Sequence, residues 1–471
     1  MTCLTKWISD IIGGIKMLPL KLREIAAAIG AETKTDLPDI EITDICTDSR
    51  DVKPGSLFVA LCGIKFDGHT FVKTAIEKGA AFAVVQKEGD YGTDNLLFVK
   101  TTRQAFLDIA GLYRSKFSPV VIAVTGSVGK TTTREMIAAV VKSKYKTLKT
   151  ENNLNNEVGV PKTMLELDPS VEAMVLEFGM VQLGEIEELT VPAKPDIAVI
   201  TCIGTSHIEN LGSRENIKKA KFEIIKGLKK GGTLILNKDN DMLRNICLPE
   251  YNVVYYAVKD KTADITAENI VEHEDFTEFD IVSGGKSFRA QIPCIGAHNV
   301  LNALAGFGAG VAAGVEPCKA ALALADFRAT GMRQRVHKCR GVTVIEDCYN
   351  ANPDSVKAAM LTLGSYKIQP EAKKIAVLGD MLELGTVAES AHLAAGKEAA
   401  DAADILLCCG ELGKLIARGA MGAGMKNVKH FDSKDDLAKE LRSVARSGDV
   451  IWLKASRGMR FEDIAEAFYE E

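Results

Sequence analysis

The stretch VVIAVTGSVGKTTTREMIAAVVKS, residues 120–143, decides the fold class. Its apolar run from Val120 to Val124 reads as a buried strand, and the residues after Lys130 read as a helix. Between them lies Thr125-Gly126-Ser127-Val128-Gly129-Lys130-Thr131-Thr132. A glycine-rich turn that follows a strand and opens a helix is the setting of a phosphate-binding loop. Gly126 and Gly129 let backbone N–H groups turn toward phosphate oxygens, and the helix N-terminus adds partial positive charge. Lys130 can bridge the outer phosphates, while a threonine hydroxyl such as that of Thr131 can ligate Mg²⁺. The pattern departs from G-x-x-x-x-G-K-[ST], because Val124 stands where the first glycine belongs. A plain strand-turn-helix accounts for the glycines but not for Gly-Lys-Thr-Thr at a helix start.

The chain around this loop has 471 residues, enough for about three domains at ~150 residues each. Hydrophobic residues make up 46% and charged residues 26%, which excludes wholesale disorder. The net charge of −5 lacks the basic excess of a protein built around nucleic acid or an anionic membrane. Apolar runs such as Val120 to Val124 are too short to span a bilayer. Eleven cysteines, scattered and without any C-x-x-C pair, read as reduced thiols of a cytoplasmic protein rather than a metal or disulfide framework. Residues 1–16 lack the continuous apolar core of a secretion signal. Trp7, Ile8, Ile11, Ile12 and Ile15 could form an interfacial helical face, but MLPLKLREIAAAIG from Met17 reads like a domain start preceded by a loose extension.

Outward from the loop, the pattern predicts three α/β domains spanning 17–117, 118–330 and 331–471. In the first, LREIAAAIG reads as a helix ended by Gly30, and LFVAL (57–61), AFAVV (81–85) and LLFV (96–99) read as strands. A helix from 103 to 116 leads to the junction at Ser118-Pro119. In the second, AMVLEF (173–178), DIAVIT (196–201) and TLIL (233–236) alternate with helices, as expected of a parallel sheet covered on both faces. A Gly- and Ala-rich helix from 299 to 313 closes it. The third repeats the alternation through VTVIED (342–347), KIAVLG (374–379), DILLCCG (404–410), VKHF and DVIWLKAS (449–456), a doubly wound, Rossmann-like pattern.

In open α/β sheets ligands gather beyond the carboxyl ends of the strands. Glu177 and His207 both stand there, as a carboxylate and an imidazole able to approach a metal at the phosphate loop. Oxygen suits Mg²⁺ better than nitrogen, and a loop histidine is also a common surface or capping group. Lys221 stands out within ENIKKAKFEIIKGLKK (215–230), which reads as one amphipathic helix. With Ile217 set to zero and about 100° per residue, Leu228 falls near about 20°, Lys221 near about 40° and Ile224 near about −20°. The other five lysines fall between about 100° and 220°, so Lys221 alone shares the apolar arc. Its stem could pack while its amine snorkels to water, or the amine could turn inward toward a site. His298 and Asn299 open a helix, where Asn299 could cap or bind a base. Arg333 could hold phosphate or sit solvated at a domain junction. Asp347, Tyr349, Asn350 and Asn352 end a strand before Pro353, as a ligand cluster or a capped turn. Asp380 could hold a ribose or cap a helix.

Together these segments resemble the Mur ligase family over essentially all of 17–471. TDSRDVKPGSLFVAL (47–61) and GIKFDGHTFV (63–72) are similar to its UDP-sugar-binding domain, and TGSVGKTTT is the family's shortened phosphate loop, which explains Val124. ENNLNNEVGVPKTML (151–165) resembles its Asn-rich loop. YNANPDS (349–355) and KASRGMRFE (454–462) are similar to the dipeptide-adding branch, with Ala455 where that branch usually has glycine. The resemblance implies ATP at Thr125, Gly126, Ser127, Val128, Gly129, Lys130, Thr131, Thr132, Asn299, Arg333 and Asp380. It implies a UDP-linked substrate at Ser49, Arg50, Asp67, Gly68 and His69, and a dipeptide at Tyr349, Asn350 and Asn352. Mg²⁺ would be held by Thr131, Glu177, His207 and a carbamate formed from CO₂ on Lys221. Lys130, Lys221, His207 and Arg333 would be the catalytic set.

The implied reaction joins the carboxylate of UDP-N-acetylmuramoyl-tripeptide to the amine of D-alanyl-D-alanine, in a monomer that makes peptidoglycan precursors. The third-residue-adding branch in its diaminopimelate form would carry D-N-P-R, which is absent here, and folylpolyglutamate synthetase would lack the N-terminal domain. A rival of another class is a phosphate-loop NTPase switch, which would turn over nucleotide without these substrates.

Overall fold

The protein is described here by a computed structural model covering residues 17–63 and 66–470; the expectation for residues 1–16 lies outside the described residues. The strand Val120–Thr125 sits inside a nine-stranded central sheet. It is flanked by Ala173–Glu177 and Ile197–Ile200, with Thr147–Lys149 and Thr233–Asn237 beyond them, all parallel. The three middle strands are apolar and covered on both faces, as parallel strands require.

The strands expected to form a parallel sheet do so, and the sheet is extended at one edge. Asn252–Ala257 continues the parallel array, but Ile265–Glu272, Thr277–Ser283 and Lys286–Ile292 form an antiparallel meander on it. Thr277–Ser283 alternates buried and accessible residues over its first five positions, and Ile265–Glu272 is buried only over its first three. Gly284 and Gly285, both at positive φ (57° and 73°), make the tight hairpin between the last two.

A second sheet of six strands runs in the order Arg335–Cys339, Val342–Glu346, Val450–Lys454, Lys374–Gly379, Ile405–Cys409 and Val428–Phe431. It is parallel except for its first, edge strand. The N-terminal sheet is a four-stranded parallel array of Asp44–Cys46, Ser56–Val59, Phe82–Val85 and Leu96–Phe98.

Two close helix contacts orient these units. The helix Thr102–Arg114 leans on Glu185–Ala193, where a Cβ added to Gly111 would lie 2.8 Å from Pro192 Cβ. Through this contact one apolar core runs without a break from Leu20 to Leu243. The helix after the phosphate loop, Lys130–Lys142, packs along Ala297–Ala312, where a Cβ on Gly310 would lie 2.2 Å from Val140 Cγ1. The cysteines of the described residues are free thiols. Among these residues no helix is long and apolar enough to cross a membrane.

The single helix expected over 215–230 is corrected. The α-helix spans Arg214–Phe222, capped by Ser213, and tightens into a 3-10 turn over Glu223–Lys226. Tertiary contacts cause the change. The Glu223 carboxylate accepts from the N–H groups of Gly184 and Glu187, and Thr190 Oγ1 donates to Ile224 O, drawing the segment against a neighbouring helix.

Candidate active site at the junction of two sheets

The phosphate loop leaves the central sheet at Thr125, whose hydroxyl donates to Phe178 O. Gly126 and Gly129 are required where they stand. Gly126 (φ 153°) would place a Cβ 1.8 Å from Thr201 Oγ1, and Gly129 (φ 83°) would place one 2.6 Å from Asn302 Oδ1. Ser127 ties the loop to the next crossover, because Gly204 N donates to its hydroxyl and Ser206 Oγ donates to its carbonyl. Lys130 Nζ donates to Gly126 O at 2.9 Å. Burial lowers its pKa, opposed by Glu177.

Glu177 is 1% exposed at the end of its strand and is fully engaged. Its Oε1 accepts from Thr131 Oγ1 (3.1 Å) and Asn155 Nδ2 (2.8 Å), and its Oε2 from Arg134 (3.1 Å). Arg134 is itself buried and paired with Glu135, which also binds Lys149. Neither Arg134 nor Asn155 was singled out by the motif. Arg134 lies one helical turn after Lys130, and Asn155 lies in the Asn-rich loop, so each had a positional signal and no chemical one.

His207 and Lys221 meet at this cluster from the other side. His207 adopts φ 62°, and its Nδ1 lies 2.9 Å from Glu383 Oε2 without hydrogen-bond alignment, leaving that buried nitrogen without a hydrogen-bond partner. Burial, and then the Lys130 and Lys221 ammonium groups, push its pKa down to about 4. Lys221 is 1% exposed, so its amine is turned inward and does not snorkel. Burial drives its pKa well below the ordinary lysine value, and the neighbouring Lys130 drives it further.

A chain of side-chain bonds then links the phosphate-loop helix to the second sheet. Thr133 donates to Asn302 Oδ1, Asn302 Nδ2 donates to Asn299 Oδ1, and Asn299 Nδ2 donates to Gln334 Oε1. Gln334 Nε2 lies 2.8 Å from His298 Nε2. With its oxygen already taken by Asn299, Gln334 must donate there, so His298 is neutral with its proton on Nδ1. Burial, and then Lys454, push His298 down to about 4, in keeping with that form. Asn299 therefore bonds side chains as well as opening its helix, and Asn302 and Gln334 complete a relay that motif reading missed.

Beside this chain the Arg333 guanidinium stacks on Tyr349, 3.6 Å from the ring centre. Asn350 lines the same space. Asn352 caps the helix Pro353–Ser365 in a capping box with Ser355 and donates from Nδ2 to Ser206 Oγ at 2.7 Å. Asp380 stands apart. Its Oδ1 accepts from Gly413 N at the start of another helix, and burial raises its pKa. Ala455 is fully buried, its methyl filling the space beside Gly379.

One cavity of about 560 Å³ gathers most of these groups. Ser127, Val128, Gly129, Lys130, Thr131, Thr132, Glu177, His207 and Asn299 line it from the central sheet, and Arg333, Tyr349, Asn350 and Asn352 from the second. Thr125, Gly126, Lys221 and Asp380 are not among the residues that line it. The N-terminal group is a separate cluster. His69 is buried, its Nδ1 2.7 Å from Asp67 Oδ1 and its Nε2 accepting from Gln86 N. Lys87 pairs with the other Asp67 oxygen, and a Cβ on Gly68 would meet Leu61 O at 2.8 Å. Arg50 pairs with Asp48 on the exposed rim next to Ser49.

Three family models match the chain: "Mur ligase family, catalytic domain" over 41–117, "Mur ligase middle domain" over 124–310 and "Mur ligase, glutamate ligase domain" over 332–457. The UDP-N-acetylmuramoyl-tripeptide–D-alanyl-D-alanine ligase of Bacillus subtilis is 40% identical, covering 91% of this chain and 93% of its own. A crystal structure of MurF from Acinetobacter baumannii is 28% identical at a TM-score of 0.85, covering 97% of this chain and all of its own. MurF ligase from Thermotoga maritima in complex with ADP is likewise 28% identical at 0.81, covering 90% and 97%.

Proposed function

The chain belongs to the Mur ligase family, and we infer that it is an ATP-dependent ligase joining D-alanyl-D-alanine to UDP-N-acetylmuramoyl-tripeptide. The observation that carries this reading is the single cavity shared by a phosphate loop and by the ligand end of a second sheet. A site built on one sheet would suffice to hydrolyse nucleotide. A site built on two can bring a phosphorylated acid against an amine and shut out water between the steps.

A carboxylate does not react directly with an amine near neutral pH, since its carbonyl is a poor electrophile and its leaving group would be oxide. Transfer of the γ-phosphoryl group makes an acyl phosphate; the amine then attacks the acyl carbon and phosphate leaves. The first transfer calls mainly for positioning and charge neutralisation. Lys130, with its stem fixed in the loop, meets the outer phosphates, and Arg333, held on Tyr349 at the cavity wall, faces the transferred group. Asn299 and the relay behind it hold the nucleotide end of the cavity. Tyr349 and Asn350 face the dipeptide. Asn352 acts chiefly by fixing its helix and the contact with Ser206, and Asp380 by capping, so both shape the site from behind. Ser49, Arg50 and the Asp67-Gly68-His69 turn hold the UDP end, with His69 setting the turn.

The donor set near the phosphate loop fits a divalent cation. Thr131 and Glu177 offer oxygen, and the buried His207 Nδ1 has no hydrogen-bond partner. Mg²⁺ bound there would neutralise phosphate charge during transfer. Two ammonium groups nearby oppose such a cation, and Glu177 is already shared with Arg134. Lys221 resolves the imbalance as a carbamate: its neutral amine adds to CO₂, a proton leaves, and an anionic oxygen replaces a cation. Both the metal and the carbamate are part of this proposal.

The reading is tested by ADP release measured with each substrate withheld in turn. Release that needs both the UDP-tripeptide and D-alanyl-D-alanine, and that L-lysine, diaminopimelate or L-glutamate does not support, is expected. Substrate-independent release would point to an NTPase switch, and a better response to a single amino acid would move the chain to another branch.

A further inference from the structure

Lys454 ends the strand Val450–Lys454 and is 2% exposed, yet its Nζ contacts only one short stretch of backbone and side chain. It donates to Asp347 Oδ2 at 2.6 Å and to Asn350 O at 3.2 Å, with Asp347 O at 3.5 Å. All three acceptors belong to residues 347–350, the loop that presents Asp347, Tyr349 and Asn350 to the cavity. A buried ammonium costs desolvation that an apolar residue of the same length would avoid. Here that cost is spent where ligands gather, at the carboxyl end of the strand.

We propose that Lys454 is a positioning residue for ligation, holding the 347–350 loop so that Asp347 and the Arg333–Tyr349 stack meet their ligands in register. The pairing commits Asp347 Oδ2 to Lys454 and leaves Oδ1 without a hydrogen bond among the described residues, in a side chain that lines the cavity. Asn350 O, tied to the same ammonium, fixes the backbone on the far side of Tyr349. Ser456, two residues on, extends the brace: its hydroxyl donates to Ala351 O and accepts from Leu382 N. The segment 454–456 thus braces the loop, and within it Lys454 also lines the cavity beside Asp347. Arg333 reaches the nucleotide and Tyr349 the dipeptide, so both KM values depend on this brace. The UDP end, held by 17–117, does not.

This inference rests on the ligase reading, and its test separates the two. In wild-type protein, ADP release dependent on both substrates must be present first; its absence would sink that reading and not this one. Given that activity, Lys454→Met is expected to raise KM for ATP and for D-alanyl-D-alanine by about tenfold or more, the scale of a misplaced charge-assisted contact. KM for the UDP-tripeptide should stay within about twofold on the same scale. A purely structural role predicts a lower kcat with all three KM values unchanged, and that result would overturn the proposal, as would an equal rise in all three. Lys454→Gln, which keeps one donor in the same space, should show the same pattern at smaller size. Failure of both variants to fold would assign Lys454 to the core alone and also overturn it.

Discussion

Burial disfavours the ammonium form of both Lys221 and Lys130, and a neighbouring cation adds to it, Lys130 at Lys221 and Arg333 at Lys130. They respond differently. Lys130 has Glu177 acting in its favour, and its Nζ bonds only the loop it belongs to, so Lys130→Ala should abolish ligation and leave the melting temperature little changed. Near-normal turnover in a folded Lys130→Ala protein would remove the phosphate-loop assignment. Lys221→Ala should be nearly inactive and partly restored by a short-chain carboxylic acid occupying the vacated space, with ¹³C-bicarbonate giving a carbamate signal in the wild type only. Full activity without added acid would end the carbamate proposal. Two half-buried histidines at the site make stability pH-dependent in a defined direction. His207 and His298 are each held down from 6.5 to about 4. Across that window the unfolded chain binds protons that the folded chain refuses, so stability is lost as pH falls and recovered as it rises. A melting temperature followed from pH 7 down to about 4.5 should drop, and His298→Gln should reduce the drop. A flat profile in the wild type would contradict the neutral histidine inferred from the Gln334 bond.

At the scale of elements, the packing of Lys130–Lys142 along Ala297–Ala312 puts helix propensity and steric fit in opposition. Replacing a helical glycine by alanine stabilises an isolated helix by about 1 kcal/mol. At Gly310 the new methyl would lie 2.2 Å from Val140 Cγ1, and overpacking of that kind costs about 1–3 kcal/mol. The steric term wins, so Gly310→Ala should lower the melting temperature and weaken ATP binding through the displaced phosphate-loop helix. A stabilised variant would show that the two helices can separate without cost. The composition of this helix was legible in the sequence, but not the reason for it, because the neighbour of Gly310 across the helix interface, Val140, is 170 residues away along the chain. The Lys221 arc was legible for the opposite reason: helical periodicity is local, and it put the lysine on the apolar arc even though the helix proved half as long as its pattern; that the amine turns inward was decided by its burial. The hairpin at Gly284-Gly285 carried a turn signal, whereas its flanking strands were too polar to stand out from loop.

For the molecule as a whole, the crossover at residues 204–209 adds a second tie between the central and second sheets, beside the chain through Asn299 and Gln334. Asp354 Oδ2 accepts from Thr205 N at 3.0 Å and Thr205 Oγ1 at 3.2 Å, Asn352 bonds Ser206, and Glu383 approaches His207. The fit leaves no spare room, since a Cβ on Gly204 would lie 2.2 Å from Asp354 Oδ2. These few polar contacts suit a junction that opens to admit ligands and closes for chemistry. Asp354→Ala should therefore raise the radius of gyration in small-angle scattering and raise KM for ATP several-fold, with little change in melting temperature. An unchanged scattering profile would place the restraint elsewhere.

The sequence by itself determined the chemistry-bearing pieces: the strand-loop-helix around Lys130, the carboxylate and imidazole at strand ends, the place of Lys221 on an apolar arc, and the three α/β patterns. Each depends on interactions within a few residues, where hydrogen-bond geometry and periodicity act locally. Tertiary structure alone decided which of these pieces share a cavity. It turned Asn352 and Asp380 into caps, stacked Arg333 on Tyr349, and recruited Arg134, Asn302, Gln334 and Lys454, whose partners lie up to 169 residues away. A side chain's role in such a network depends on burial, which raises the cost of every unpaired polar group and so selects one arrangement of partners. That selection operates through contacts between sheets, and no local pattern encodes it.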